Sequence, residues 1–250
     1  MIFIIAAREL RSLFLSPLAW TLLAVAQGLL AWIFIVLVDD FQQVQGRLIN
    51  LENPPGVTDL VATPLFRVAA WALLLLTPLL TMRLISEERR TGTLDLLLSA
   101  PVGISEIVFG KYLGALAFLL LIVALTELMP LALLAGAALD CGKLAAATLG
   151  LILLAASFTA VGLCLSALTT QPAVAAAATF GLLLAFWMMD AIGASQGIAS
   201  ILFKYLSLSR HYDALLLGLV RTEDVAYYLL FSAGFLGLTI HRLDSHRLRT

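Results

Sequence analysis

Charge is what this sequence has least of. Only 12% of its 250 residues are Asp, Glu, Lys or Arg, about half the share of an ordinary soluble domain. The 15 basic and 16 acidic residues nearly cancel, leaving a formal net charge of −1. No basic surplus is present to neutralise a phosphate backbone, so nothing suggests nucleic-acid binding. Cysteine is scarce too, with Cys141 and Cys164 the two. If one helix joins them they stand about 35 Å apart at ~1.5 Å per residue. A disulfide tolerates only about 7 Å between Cα atoms. Two lone thiols do not make a metal site, and His211, His241 and His246 form no H-E-x-x-H. There is no G-x-S-x-G. Gly110-Lys111 has no glycine five residues before it and is followed by Tyr112 rather than Ser or Thr, so there is no Walker A loop. Hydrolysis of ATP by a P-loop is therefore excluded for this chain. No metal site and no cofactor of its own are expected.

What abounds is apolar side chain, at 62% of residues and a mean hydropathy of +1.03. A single soluble core of this size cannot hide that much apolar surface. The pattern predicts an all-α polytopic membrane protein forming one transmembrane domain over 1–250.

The rare charges divide the chain into spans. Twenty-seven uncharged residues from Ser12 to Val38 hold a first span at about 18–38. The second, about 64–85, lies around the uncharged stretch between Arg67 and Arg83, both arginines snorkelling. The third runs from about 113 to 139 and contains Glu127 and Pro130. Forty-six uncharged residues between Lys143 and Asp190 are too many for one span of about 20. Thr169-Thr170-Gln171-Pro172 is the turn chemistry that divides them into spans at about 144–169 and 173–192. A sixth lies at about 225–241. Nine basic residues then fall on the face holding both termini (Arg8, Arg11, Arg83, Arg89, Arg90, Lys111, Arg242, Arg247 and Arg249) against six on the other. The positive-inside rule puts both termini in the cytoplasm. Trp20 and Tyr112 are expected at the inner interface, and Trp187, Tyr227 and Tyr228 at the outer one.

Residues 2–15, with Arg8 and Arg11, and the Ala24-Val25-Ala26 triplet beyond them together imitate a signal peptide and its cleavage site. The apolar run continues twelve residues past Ala26, which argues for an uncleaved anchor. The segment reads instead as an amphipathic interfacial helix, with Arg8, Arg11 and Ser12 on one face and Pro17 at the elbow into the first span. Residues 39–63 read as a polar outer loop. Residues 193–224 are too apolar for a solvated loop. Lys204, Arg210, His211 and Asp213 nevertheless forbid a full span. Short helices dipping back from the outer face over about 197–219 satisfy both facts.

The connection between spans two and three carries the most information. Thr93 is a good N-cap, Asp95 suits the first turn, and Pro101 ends a helix of about two turns over 93–100. Leu94, Leu97 and Leu98 make an apolar knob beside Glu87, Glu88, Arg89 and Arg90. That is a docking surface for another protein, or else an interfacial helix lying on lipid. Glu87-Glu88-Arg89 through Gly92-Thr93-Leu94, with Leu97-Leu98, Pro101, Glu106-Ile107 and Gly110-Lys111, resembles the signature of type-2 ABC transporter permeases. Asp95 stands where that family more often has Glu, which keeps the charge.

The elbow helix with Arg8-Glu9-Leu10, the six spans and the half-inserted segment before the last span also match, so the resemblance covers nearly the whole chain. The tail Leu206-Ser207-Leu208-Ser209-Arg210-His211-Tyr212, then Gly218 and Asp224-Val225-Ala226-Tyr227-Tyr228, is most similar to the gliding-motility-associated and copper-enzyme-maturation branch. The resemblance implies a subunit of the bacterial cytoplasmic (inner) membrane that works beside a second permease copy or a related membrane subunit. The 93–100 helix is offered to a separate ATP-binding cassette subunit, which binds the ATP and Mg. Glu87, Glu88, Arg89, Arg90, Gly92, Thr93, Leu94, Asp95, Leu97, Leu98 and Pro101 are the implied contact residues, the charges at the rim and the leucines in the groove.

Two polar residues within spans are candidates for a pathway or for structure. Glu127 is a carboxylate about 24 Å along the helix from Lys111, counting ~1.5 Å per residue, and intramembrane carboxylates are functional candidates by default. A structural carboxylate near Pro130 is the plainer reading. Gln27 reads first as a helix–helix hydrogen bond. A secondary transporter or an intramembrane enzyme using Glu127 are the competing functions. The first would show matching broken helices in two halves, and the second a deep polar partner for Glu127. Neither feature is seen beyond Gln27.

Overall fold

In a computed structural model of the chain, the described residues are 1–48, 55–93, 102–136, 138–192 and 203–247. Helices dominate them: α1 (Ile2–Leu15), α2 (Pro17–Leu48), α3 (Thr63–Thr81, entered through a π turn, Thr58–Ala62), α4 (Ser86–Thr91), α5 (Ile104–Ala132), α6 (Cys141–Leu168), α7 (Pro172–Ile192), α8 (Leu208–Leu216) and α9 (Thr222–Arg247). Among the described residues five helices are long and apolar enough to cross a membrane: Pro17–Gly46, Thr58–Thr91, Ile104–Ala132, Cys141–Leu168 and Pro172–Ala191. The sixth expected span coincides with α9. It is long enough, but Glu223 and Asp224 at its start and charged residues with two histidines from 241 onward flank an uncharged middle at 225–240, and it is not among the five.

The helix α6 is the centre of the bundle and the most deeply buried of the five. It packs against α3, α5, α7, α8 and α9. Its small residues, Ala146, Ala147, Gly150, Ala155, Ala160 and Gly162, let neighbouring backbones approach closely. Polar links run between the helices: Tyr112 Oη donates to the Ala156 carbonyl at 3.2 Å, and the Ser157 and Ser232 hydroxyls lie 3.1 Å apart. Asp140 caps α6, its Oδ1 accepting from the amides of Gly142 and Lys143. The Lys143–Asp59 ion pair then ties that cap to the π turn.

Several boundaries differ from those expected, each for a physical reason. Helix α2 continues ten residues beyond Val38, to Leu48; one support for the extension is an i,i+4 hydrogen bond from Gln43 to Asp39 at 2.9 Å. Much of the expected polar loop at 39–63 is therefore helical. Helix α5 begins at Ile104, not near 113, because its early charges have partners. Glu106 Oε2 reaches back to accept from the Gly103 amide at 3.3 Å, and Lys111 is paired inside the protein. At its far end α5 stops at Ala132 and tightens into one 3-10 turn, Leu133–Ala135, short of 139. The expected outer aromatics are packing residues: Trp187, Tyr227 and Tyr228 are buried, as is Tyr112 at the other end, whereas Trp20 is exposed.

Helix α8 falls within the apolar stretch expected to dip back, of which 193–202 lies outside the described residues. It buries Leu208, His211, Tyr212, Leu215 and Leu216. Tyr212 Oη donates to the Phe66 carbonyl at 2.9 Å, and Asp213 pairs with Arg67 at 2.9 Å. These contacts pack α8 against the bundle, as the expected half-inserted segment would require.

Candidate functional site

The cytoplasm-facing end predicted from sequence centres on the expected contact segment. Leu94, Asp95, Leu97, Leu98 and Pro101 lie outside the described residues. What leads into them is defined. After Thr81 the chain makes one open turn, then forms α4 over Ser86–Thr91. Gly92 closes α4 in the left-handed conformation, φ 71°, where a side chain would be strained. The Thr93 hydroxyl lies 3.0 Å from that of Thr91, on an exposed surface.

Three attachments hold this segment to the bundle. At the first, Ser166 Oγ on α6 accepts from the amides of Ile85 (3.0 Å) and Ser86 (3.1 Å) and donates to the Met82 carbonyl. At the second, Arg89 Nη1 donates to the Ala167 carbonyl at 2.8 Å, a cation at the C-terminal end of α6 where the helix dipole favours it. The third is Lys111. Its ammonium is 2% exposed and makes three contacts of 2.8 Å, to Glu9 Oε1 on α1, to Glu88 Oε1 on α4 and to the Leu84 carbonyl. An ammonium has three protons, and all three are used. One cation thus joins α1, the end of the α3–α4 connection and α5.

Packing brings those groups together. Gly110 and Gly114 on α5 leave room for α1 to lie directly on it. A Cβ at Gly110 would meet Ile5 Cβ at 2.6 Å, and one at Gly114 would meet Glu9 Cβ at 2.7 Å. Helix α1 therefore packs on α5 as well as facing the surroundings. The spacing Gly110-x-x-x-Gly114, which flanks Lys111, is a pattern from which this contact could have been found.

The four charges expected at a rim divide into two kinds. Glu88 and Arg89 turn inward to the attachments just described. Arg90 is exposed, and Glu87 is partly exposed beside Arg83 at 3.7 Å. Gln27 Nε2 on α2 donates to the Ile122 carbonyl of α5 at 3.0 Å and lies 3.4 Å from Thr126 Oγ1, an interhelical bond. Glu127 Oε2 accepts from Thr148 Oγ1 on α6 at 2.5 Å. Among the described residues no cluster of three or more His, Cys, Asp or Glu side chains could hold a metal ion.

Sequence reasoning missed a second buried pair, at the opposite end. His211 Nδ1 stands 2.5 Å from Asp224 Oδ1, while Nε2 stands 3.0 Å from the Tyr205 carbonyl, and the ring stacks on Tyr227 at 4.2 Å. A catalytic dyad would need Nε2 to face a nucleophile. Here it faces backbone, so the pair fastens α8 to α9.

The family model described as ABC-2 family transporter protein matches residues 5–243 of the chain. That range takes in all the attachments above. No curated protein sequence matches.

Proposed function

We propose that this chain works as the membrane half of an ATP-driven transporter whose hydrolysis is done elsewhere: it belongs to the ABC-2 family of transporter proteins, and its own chemistry is conformational. It is a multi-pass membrane permease subunit. The observation that carries the mechanism is the three-way contact at Lys111. A separate ATP-binding subunit, holding ATP and Mg, takes the 93–100 segment, with Leu94, Leu97 and Leu98 in its groove and Arg90 and Glu87 at the rim. Closure of that partner pulls on Glu88. Lys111 and the Ser166 and Arg89 attachments pass the displacement to α5, α1 and α6 as a rigid-body shift rather than a local bend. The chain acts beside a second copy or a related membrane subunit in the bacterial cytoplasmic membrane. Helix α9 is the sixth span and both termini are cytoplasmic. The branch that joins gliding-motility and copper-enzyme-maturation permeases is our finer assignment, resting on the tail motif around Arg210-His211-Tyr212.

The test separates knob from rim. Burying one leucine contributes roughly 1.5–3 kcal/mol, and each ~1.4 kcal/mol is about tenfold in affinity. Leu97→Asp puts an unpaired charge in the groove, costlier than truncation. It is expected to strip the ATP-binding subunit from the complex during affinity purification while the chain still inserts. Arg90→Ala should weaken retention far less, and mainly at low salt. Full retention with Leu97→Asp would remove the docking role from this segment.

A further inference from the structure

Against the Lys111 clamp, whose Glu9, Glu88 and Lys111 form part of its lining, a cleft of about 340 Å3 opens between α1, the start of α2, the end of α3 and α4. Small-ligand sites span roughly 300–1,000 Å3. Its walls differ in chemistry. Leu18 and Ala19 of α2 and Leu79 and Leu80 of α3 form an apolar wall, and all four belong to helices able to cross the membrane. The opposite rim carries Arg8, Glu9, Arg83, Glu87, Glu88 and Lys111, three cations and three carboxylates.

The rim has unspent bonding capacity at both signs. Among the described residues Glu88 Oε2 has no hydrogen-bond partner, although its other oxygen holds Lys111. Such an orphaned buried carboxylate oxygen calls for a donor. Arg8 is exposed and forms no ion pair among the described residues. Arg83 is 54% exposed and reaches Glu87 only at 3.7 Å.

We propose that this cleft binds a membrane phospholipid through a headgroup bearing both a phosphate and a primary ammonium, a phosphoethanolamine lipid. The acyl chains lie along the wall of α2 and α3. The phosphate meets the Arg8 guanidinium, and the ammonium donates to the carboxylates of Glu87 and Glu88. The balance of charge selects this headgroup. A phosphoglycerol lipid can meet Arg8 with its phosphate but brings no ammonium to the Glu88 oxygen. A phosphocholine lipid has the same net charge as phosphoethanolamine but no N–H to give Glu88. A soluble partner would have to reach α2 and α3 at a depth that lipid already occupies. The proposal rests on membrane crossing and on this cleft, so failure of the Leu97→Asp test leaves it standing.

The experiment is native mass spectrometry of the full-length chain, purified and exchanged into micelles containing equal amounts of phosphatidylethanolamine, phosphatidylcholine and phosphatidylglycerol. Hydrogen bonds to charged groups lead us to expect phosphatidylethanolamine adducts about tenfold or more over phosphatidylcholine. Arg8→Gln should lower phospholipid adducts several-fold with unchanged thermal stability. Glu88→Gln should bring the ethanolamine-to-choline ratio close to one. Because Glu88→Gln also weakens the Lys111 clamp, its melting is measured alongside. If that variant does not fold, the wild-type ratio and Arg8→Gln decide. Equal ethanolamine and choline adducts in wild type, a dominant phosphatidylglycerol adduct, full preference retained in Glu88→Gln, or adducts unaffected by Arg8→Gln would each overturn the proposal. So would loss of the lipid when the ATP-binding subunit is bound, since that would give the cleft to protein.

Discussion

Replacing Lys111 by methionine keeps most of the length and the apolar stem of the side chain and removes the charge. In the native protein the ammonium, 2% exposed, neutralises Glu9 and Glu88, which are 15% and 19% exposed, and satisfies the Leu84 carbonyl. The variant leaves two carboxylates facing each other across an apolar methyl group, with a carbonyl unpaired. Removing one member of a buried ionic cluster costs about 3–5 kcal/mol. The two carboxylates retain some access to water, so the lower end, about 3 kcal/mol, applies. At roughly 2–4 °C per kcal/mol for a chain of this size, the midpoint of thermal unfolding in detergent should fall by about 6–12 °C.

Glu9→Gln separates stability from connection. It keeps an acceptor for Lys111, leaves the Glu88 bond intact, and should shift melting by much less. If α1 is coupled through this contact, Glu9→Gln should still reduce transport-linked work more than it reduces ATP hydrolysis by the assembled complex. The assay is thermal melting followed by tryptophan fluorescence, paired with ATP turnover. Unchanged melting in Lys111→Met would refute the energetic reasoning. Unchanged coupling in both variants would refute the mechanical one.

Glu127→Gln should leave assembly and basal ATP turnover nearly intact, because the amide oxygen can still accept from Thr148 Oγ1. Transport lost while assembly survives would make Glu127 part of the pathway. Cys141 is exposed and Cys164 buried, so an impermeant thiol reagent applied to intact spheroplasts should label Cys141 alone. Labelling only from the cytoplasmic side would invert the orientation.

The helices were legible because charge is so rare here. A gap between charges marks apolar helix, and the division at Thr169–Pro172 matches the break between α6 and α7. The same rule misplaced the start of α5. A charge was read as a boundary, yet Lys111 sits well inside a helix. A lone lysine in sequence carries no sign of its partners, and Glu9 and Glu88 stand 102 and 23 residues away. The His211–Asp224 pair was closer in sequence but lay between two elements whose relative placement only packing decides. Arg89 looked like an exposed charge for the related reason that the C-terminal carbonyls of α6 are invisible until α6 is known to end there.

These misses share a direction that bears on mechanism. Sequence reading assigned the charges of 87–90 outward, toward a partner, and treated the Gly110-Lys111 stretch as part of a signature without a reason. The geometry supplies one. Gly110 and Gly114 are small so that α1 can approach, and the approach carries Glu9 to Lys111. Lys111 is buried so that a single ammonium can also hold Glu88. Take away either glycine and α1 lifts. Without the lysine, the two carboxylates repel. Among the polar links described for the segment that leads to Leu94, those through Ser166 and Arg89 then remain, and both attach it to α6. Motion of that segment could still reach the centre of the bundle, but α1 would lose its charged link to the segment and keep only its packing on α5. The residues that make the signature compact are therefore the same ones that decide which helices move together.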